Sequence, residues 1–419
     1  MISKKDSAIL SDLAKRVREI SEMDIMAKRR EKWRLHNDLQ TCEPLILVSP
    51  EGSWGELLPG DIFRSEGDIA RGIEWDLRSR IYRHQHIDDD SVISGDFIVP
   101  KKISGLGGWG GIDINIPWGL TDNRKHSANA ERGAYKIEGA INDFNDIQKL
   151  SVPKIFHDKN ASLANLAAMQ EVLGDILDVK LTGITQISFH IMYFYIHFRG
   201  LEQMYIDLYD EPEFALELIR FFENGYEDIL NQCLAQNLFD LNNGDIFVGS
   251  GGFGNTGQLP KENYDPGNIR LCDLWASAEA QEMSSVSPQM TEKFVIQSER
   301  RLLEKFGLTA YGCCEALEDK LEYVLKLPNI RRLSISPFAN LRKCAEILQD
   351  KYILSWKPNP VYVSGPGFCH KAVTEYLKEA RAYTQDCVTE VILADTHTCH
   401  HEGWRFKEWV RICREVFQG

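Results

Sequence analysis

Residues 329–360 read NIRRLSISPFANLRKCAEILQDKYILSWKPNP. IRRLSIS and YILSWK are short β-prone runs, and each stops at a proline. Between them, ANLRKCAEILQD has the spacing of a helix with one apolar face. Strand, helix and strand in close succession is the unit of a parallel sheet, because a parallel neighbour can be reached only by a crossover.

The unit recurs in both directions. Upstream, GLTAYGCCE (307–315) precedes LEDKLEYVLKLP (317–328). Downstream come GFCHKAVTEYLKEARAYTQ (367–385), TEVILADTHTC (389–399) and WRFKEWVRICREVFQG (404–419). In the last, Phe406, Trp409, Val410, Cys413, Val416 and Phe417 fall on one helical face. LNNGDIFVGSGG (241–252) reads as an earlier strand ending in glycines, and Leu45–Val48 as a first one. The expected fold is an α/β (β/α)8 TIM barrel; a doubly wound sheet gives the same alternation. Residues 1–44 are expected to form an N-terminal helical extension and residues 45–419 the barrel. Within the latter, the charged and glycine-rich region 60–150 reads as an irregular insertion.

The totals exclude several classes. The chain has 419 residues, 43% hydrophobic and 26% charged, an ordinary composition for a folded protein. A net charge of -14 argues against a nucleic-acid partner. No run of about twenty apolar residues suggests a membrane span. The N-terminal MISKKDSAILSDLAKRVREISEMD has no apolar signal-peptide core, so a cytoplasmic protein is expected. Its ten cysteines are spread out, which suggests reduced thiols rather than a disulfide framework. A homodimer is one expected assembly.

In a parallel βα array the chemistry gathers just past the carboxyl ends of the strands. That rule selects Ser250 after DIFVG; Cys313, Cys314 and Glu315 after LTAY; and Ser334 and Ser336 on the next strand. It also selects Trp356, Lys357 and Asn359 after YILSW, then Asp395, His397, Cys399, His400 and His401 after EVIL. Thiolate, imidazole and carboxylate are zinc ligands, so Cys313, Cys314, Glu315, His397 and Cys399 are candidates for one open metal site. The bland alternative is that the cysteines are small core residues and the histidines a solvated loop. GSGGFGNTG (249–257) is a weak match to a phosphate loop, since Pro260 follows and no helix does. His190, Tyr193, His197 and Arg199 read mostly as packing, with room for one to line a cavity. Trp109 and Trp118 could close over an aromatic ligand or simply pack.

The segments LNNGDIFVGSGGFGNTGQLP, LTAYGCCEALEDKLEYVLKLPNIRRLSISPFANLRKCAEILQDKYILSWKPNP and VILADTHTCHHEGWRFKEWVRICREVF resemble the uroporphyrinogen decarboxylase-like superfamily. The resemblance covers roughly residues 180–419 and is to the branch near the zinc- and corrinoid-dependent methyltransferases. It implies a TIM barrel with its site at the carboxyl rim. The decarboxylase's arginine motif of RQAGRY type is missing; AKRREKW (27–33) is basic but sits in a charged helix. The methyltransferases' His-x-Cys falls on Tyr311-Gly312-Cys313, which keeps the cysteine and loses the histidine, and their later cysteine falls on Cys399. Glu315, Cys314 or His397 would then complete the ligand set. The resemblance implies zinc as a Lewis acid and methyl transfer between a small O-, N- or S-methyl compound, or a thiol, and a corrinoid (cobalamin). No corrinoid-carrying DxHxxG segment is present, so the corrinoid would come free or on a partner protein. Asp395, His397 and Glu315 are the catalytic candidates, and Ser250, Lys357 and Asn359 the cofactor-binding ones. A metal-free lyase of decarboxylase type and a tetrapyrrole- or corrinoid-binding protein are the alternatives.

Overall fold

The protein is described by a computed structural model covering residues 2–41, 43–107, 111–120, 124–126 and 135–419. One sheet has seven strands: β1 (Leu45–Val48), β2 (Ser188–Phe189), β3 (Trp275–Ala278), β4 (Leu308–Tyr311), β5 (Ile330–Ile335), β6 (Ile353–Trp356) and β7 (Val388–Leu393). Their spatial order is β1-β7-β6-β5-β4-β3-β2, and every neighbouring pair is parallel. The order follows the chain without reversal, and the last strand lies against the first. A doubly wound sheet would reverse at a switch point. This is the winding expected of a (β/α)8 barrel, with seven strands paired and no closing pair between β1 and β2 among the described residues.

The two edges of the open seam are covered in other ways. On β1, Ile46 N–H donates to Asp90 Oδ2 at 2.8 Å and Val48 N–H to Asp89 Oδ2 at 2.9 Å. Two carboxylates thus occupy positions where a further strand would present carbonyls. On β2, Ser188 N–H donates to the Ile112 carbonyl at 2.7 Å.

The helices α1 (Lys4–Ser21) and α2 (Asp24–Asn37) precede the sheet; α3 (Asp68–Tyr82) and α4 (Lys159–Leu173) follow β1, α5 (Ile191–Arg199) and α6 (Pro212–Ala235) follow β2, α7 (Gln297–Leu303) follows β3, α8 (Leu341–Leu348) β5, α9 (His370–Thr384) β6 and α10 (Trp404–Phe417) β7, whereas the helix expected over 317–328 after β4 is reduced to Leu321–Val324. Side chains alternate across the sheet with the period of a strand. Ile46, Val48, Leu333, Ile335, Leu354, Val391 and Leu393 join the helices in the main core. Leu45, Leu47 and Ile392 face the other way and pack with Trp33, Val92 and Phe253. A separate core joins Leu10, Leu13 and Val17 of α1 to Ile73 and Leu77 of α3 and Leu173 of α4.

Two local expectations change, and one strand is unanticipated. The region 60–150 is not irregular throughout, because α3 runs through it. Ala70, Ile73, Leu77 and Ile81 are its buried stripe, at helical spacing among charges. WASA (275–278) is a strand that no alternation marks, since all four residues are buried. DIFVG is not a strand; the segment folds back on itself through a Phe247–Phe253 antiparallel bridge.

The glycines of that segment have a packing reason. Inside the sheet the Arg332 guanidinium meets Glu390 at 3.1 Å and Asn37 Oδ1 at 2.8 Å, beside the last turn of α2. Gly252 N–H donates to Glu390 Oε1 at 3.0 Å. A Cβ on Gly251 would lie 2.2 Å from Arg332 Cδ, and one on Gly252 would lie 2.3 Å from the Trp33 ring. The run therefore serves close backbone approach to a buried ion pair, not the cradle of a phosphate loop.

Candidate active site

The carboxyl ends of β1, β4, β5, β6 and β7 surround a cavity of about 370 Å3. Ser49 and Glu51 follow β1, Cys313 and Cys314 follow β4, Lys357 follows β6 and Asp395 follows β7. Ser250 and Gly251 reach it from the interior segment, and Arg83 from the turn after α3. Parallel winding brings these residues together from positions far apart in sequence.

The cysteine pair sits on a tight turn. Gly312 has φ +95, and a Cβ there would lie 2.8 Å from Leu317 Cδ1. Cys313 N–H then donates to Glu315 Oε2 at 2.8 Å, and the two sulfurs stand 3.7 Å apart. The hydrogen bond shared with Cys314, and then burial, push the Cys313 pKa up. The same hydrogen bond lowers that of Cys314, against burial and the nearby carboxylates of Asp395 and Glu315. The two thiols titrate as a pair, with the first proton leaving most readily from the more exposed Cys314.

Lys357 is buried, and its ammonium donates to Ser355 Oγ at 2.6 Å. Burial lowers its pKa to about 8, helped by the Arg332 charge and opposed by Glu390. Glu51 is raised, chiefly by burial and further by the charge of Asp395. Glu51 and Asp395 both take left-handed backbone, with φ 45 and φ 57. Such conformations concentrate where the surrounding structure holds a functional loop in place.

Five of the expected residues thus meet at one cavity: Ser250, Cys313, Cys314, Lys357 and Asp395. The others lie elsewhere. Asn359 Oδ1 accepts from Val361 N–H at 3.0 Å and steadies the chain after β6. Glu315 is buried behind the cysteine turn, where its carboxylate also accepts from Ala280 N–H at 3.2 Å. Burial first, and then the Glu279 charge, raises its pKa. It braces the turn and is not on the cavity wall. His397 is exposed, with its backbone close enough to Gly52 that a Cβ there would lie 3.0 Å from His397 Cα.

Cys399 is wholly buried, and its thiol donates to Glu56 Oε2 at 3.2 Å. Burial and that carboxylate push its pKa up to about 12, so it is held as a thiol. Glu56 also accepts from the N–H groups of Cys399 and His401, at 3.0 and 2.8 Å. Cys399 therefore pins the DTHTCHH loop to the segment after β1.

The remaining readings resolve as packing. Trp118 is buried with edge contacts to Phe194, Phe222 and Tyr226. Trp109 lies outside the described residues. Arg199 pairs with Asp207 at 2.7 Å, and the Tyr193 and His197 rings lie 3.8 Å apart. His190 Nδ1 lies 2.7 Å from Glu279 Oε1, which follows β3. Glu51 and Glu56 were missed in the sequence although they follow β1, where the same strand-end rule points. Arg83 carries no local signal at all.

The expected zinc ligands can be tested against these positions. Zinc–sulfur bonds of about 2.3 Å at a tetrahedral angle place two sulfurs roughly 3.8 Å apart. Cys313 and Cys314 satisfy that spacing. Among the described residues, however, no group of three or more His, Cys, Asp or Glu stands close enough to hold a metal ion. A catalytic zinc site needs three protein ligands, so the donor set stops short of a resident zinc. The cavity has the size of a small-molecule site.

Fold and site together define a parallel α/β chain with a dithiol cavity at the carboxyl ends of its strands. No protein-family model matches the chain, and no curated protein is similar to it. Among solved structures, a methyltransferase from Methanosarcina mazei is similar at 10% identity, over 92% of this chain and 98% of that chain, with a TM-score of 0.49. A similarity of that degree defines neither a family nor an activity. No described helix is long and apolar enough to cross a membrane.

Proposed function

We propose that the protein is an enzyme of the methyltransferase class, moving a methyl group between a small substrate and a corrinoid that is free or carried on a partner protein. The small substrate is a thiol, or an O-, N- or S-methyl compound. The observation that carries the reading is the Cys313–Cys314 pair, 3.7 Å between sulfurs, at the wall of a rim cavity of small-molecule size. The corrinoid, when bound, supplies a cobalt that carries the methyl group. No step is assigned to zinc, because the donors gathered here are two.

The chain's own residues manage protons. Cys314, as thiolate, removes the proton of a thiol acceptor, and Cys313 S–H stabilises the Cys314 thiolate beforehand. The acceptor sulfur then holds the charge and the nucleophilic electron pair. In the reverse direction a heteroatom leaves with the electron pair of its broken bond to the methyl carbon. Lys357, with a pKa near 8, is still protonated at neutral pH and is acidic enough to supply the proton it needs.

Methylcobalamin offered with a panel of small thiols tests the reading. Its absorbance should be lost with thioether formation, and Cys314→Ser should lower kcat/KM on the order of 100-fold. If no thiol demethylates methylcobalamin, or Cys314→Ser keeps the wild-type rate, the reading is wrong.

One observation favours a second reading. A buried lysine with a pKa near 8 is also the amine that forms Schiff bases, which would suit a metal-free lyase on a carboxylated carbonyl compound. Borohydride in the presence of pyruvate would then trap an adduct on Lys357, and the methyltransferase reading expects none.

A further inference from the structure

The seam beside β1 holds a second cavity, of about 680 Å3. Arg83 and Phe247 line both it and the dithiol cavity, so the two spaces share a wall. Three large apolar side chains are left exposed inside it: Trp75 at 41%, Ile98 at 46% and Phe247 at 43%. Trp54 meets Trp75 edge-on at 5.9 Å between rings and completes an aromatic wall. Exposed apolar groups scattered singly need no explanation, but a set gathered in one concavity marks a binding surface.

The charges around this wall are mostly spent on each other. Asp96 meets Lys180 at 2.7 Å, Asp245 meets Arg30 at 2.8 Å and Arg80 meets Asp76 at 2.8 Å. Arg83 differs. Its Nη1 is fixed by the Val48 carbonyl at 2.7 Å, Asp89 Oδ2 at 2.9 Å and Ser91 Oγ at 3.0 Å. Its Nε and Nη2 have no hydrogen-bond partner among the described residues. The guanidinium is thus held rigid with donors to spare, which suits a planar two-oxygen anion.

We propose that this cavity is a second ligand site, for a small organic anion with a flat apolar body. The anionic group lies on Arg83 and the body against Trp75, Phe247 and Ile98. The proposal goes beyond the methyltransferase reading and holds whatever the chemistry at Cys314. A ligand here would share Arg83 and Phe247 as a border with the dithiol cavity.

The test uses the whole protein and 1-naphthoate, with neutral 1-naphthalenemethanol as its comparator, by titration calorimetry. One saturable site per chain is expected, with the anion bound about 10-fold more tightly than the neutral ring. Trp75→Ala, on an exposed helix face, should weaken both by about 10-fold. Arg83→Lys should erase the preference for the anion, because a point charge does not reproduce the paired donors. Cys314→Ser should bind the probe as wild type does, which separates this site from the chemistry next door. Absence of a saturable site, equal affinity for the two probes, or unchanged binding in Trp75→Ala overturns the proposal.

Discussion

Cys399 donates its thiol hydrogen to Glu56 Oε2 across 3.2 Å, and this contact separates it from the Cys313–Cys314 pair that the sequence suggested as its metal partner. The thiol is buried and its acceptor is a carboxylate held by three further donors, Thr398, Cys399 N–H and His401 N–H. Cys399→Ala should leave the metal content and the alkylation of Cys314 unchanged. It should cost about 1–3 kcal/mol of stability, from a small cavity and a lost hydrogen bond to a charged group. Urea denaturation and elemental analysis read the two effects. Loss of bound zinc with unchanged stability would restore Cys399 as a ligand.

Glu56 gives the same loop a pH dependence. Burial opposes its ionisation, but donors from Thr398, His401 and Cys399 outweigh that and lower its pKa to about 2. In the unfolded chain a glutamate titrates near pH ~4.3. A depressed folded-state pKa contributes stability that is fully present above the unfolded value and lost as pH falls through the folded one. The stability advantage of wild type over Glu56→Gln should therefore be constant above pH ~4.5 and shrink toward pH ~2. Denaturation midpoints across that window check it, and a pH-independent difference would mean that the Glu56 charge is not what holds the loop.

Iodoacetamide should find Cys314 before Cys313. Cys314 is exposed and its pKa is lowered by its neighbour's hydrogen bond, whereas Cys313 keeps its proton. Peptide mass spectrometry should show Cys314 alkylated at a pH below the ordinary thiol range of about 8.5. Cys313→Ala removes the donor and should move that profile to higher pH. Equal labelling of both cysteines, or no shift in the variant, would disconnect the pair.

Gly252 and Gly244 belong to the same glycine-rich segment and should respond oppositely. An alanine methyl at 252 would stand 2.3 Å from the Trp33 ring and 2.9 Å from Glu390, while one at 244 meets nothing within 4 Å. Gly252→Ala should destabilise by several kcal/mol, on the order of 3 or more, because the ring, the buried ion pair or the segment must move. Gly244→Ala should lie within about 0.5 kcal/mol of wild type. Thermal melts compare the two. A tolerated Gly252→Ala would remove the close-approach explanation of the run.

Much of the architecture was legible in residue order. NIRRLSISP, DKYILSWKPNP and TEVILAD became β5, β6 and β7, and the intervening periodic segments became α8 and α9, because apolar period and proline stops act within a few residues of each other. The strand-end rule also found five residues of the cavity wall, since parallel winding sends every carboxyl end to one rim. WASA (275–278) escaped because a strand buried on both faces loses its alternation. DIFVG misled because β-prone residues beside glycines read the same in a strand and in an interior fold-back.

What only the tertiary structure decided is which rim residues face one another. Glu315 and Cys313 are two apart in sequence, yet one braces a turn from behind while the other faces the cavity. Cys399 sits on a predicted strand end but turns toward Glu56, 343 positions away along the chain. Arg83 follows a helix with no motif around it, and is placed by Val48, Asp89 and Ser91. Sequence pattern sets strand and helix through local, periodic burial. The direction of each polar side chain at the rim is set by partners that the chain brings near only after folding, so a list of residue types at strand ends does not contain it.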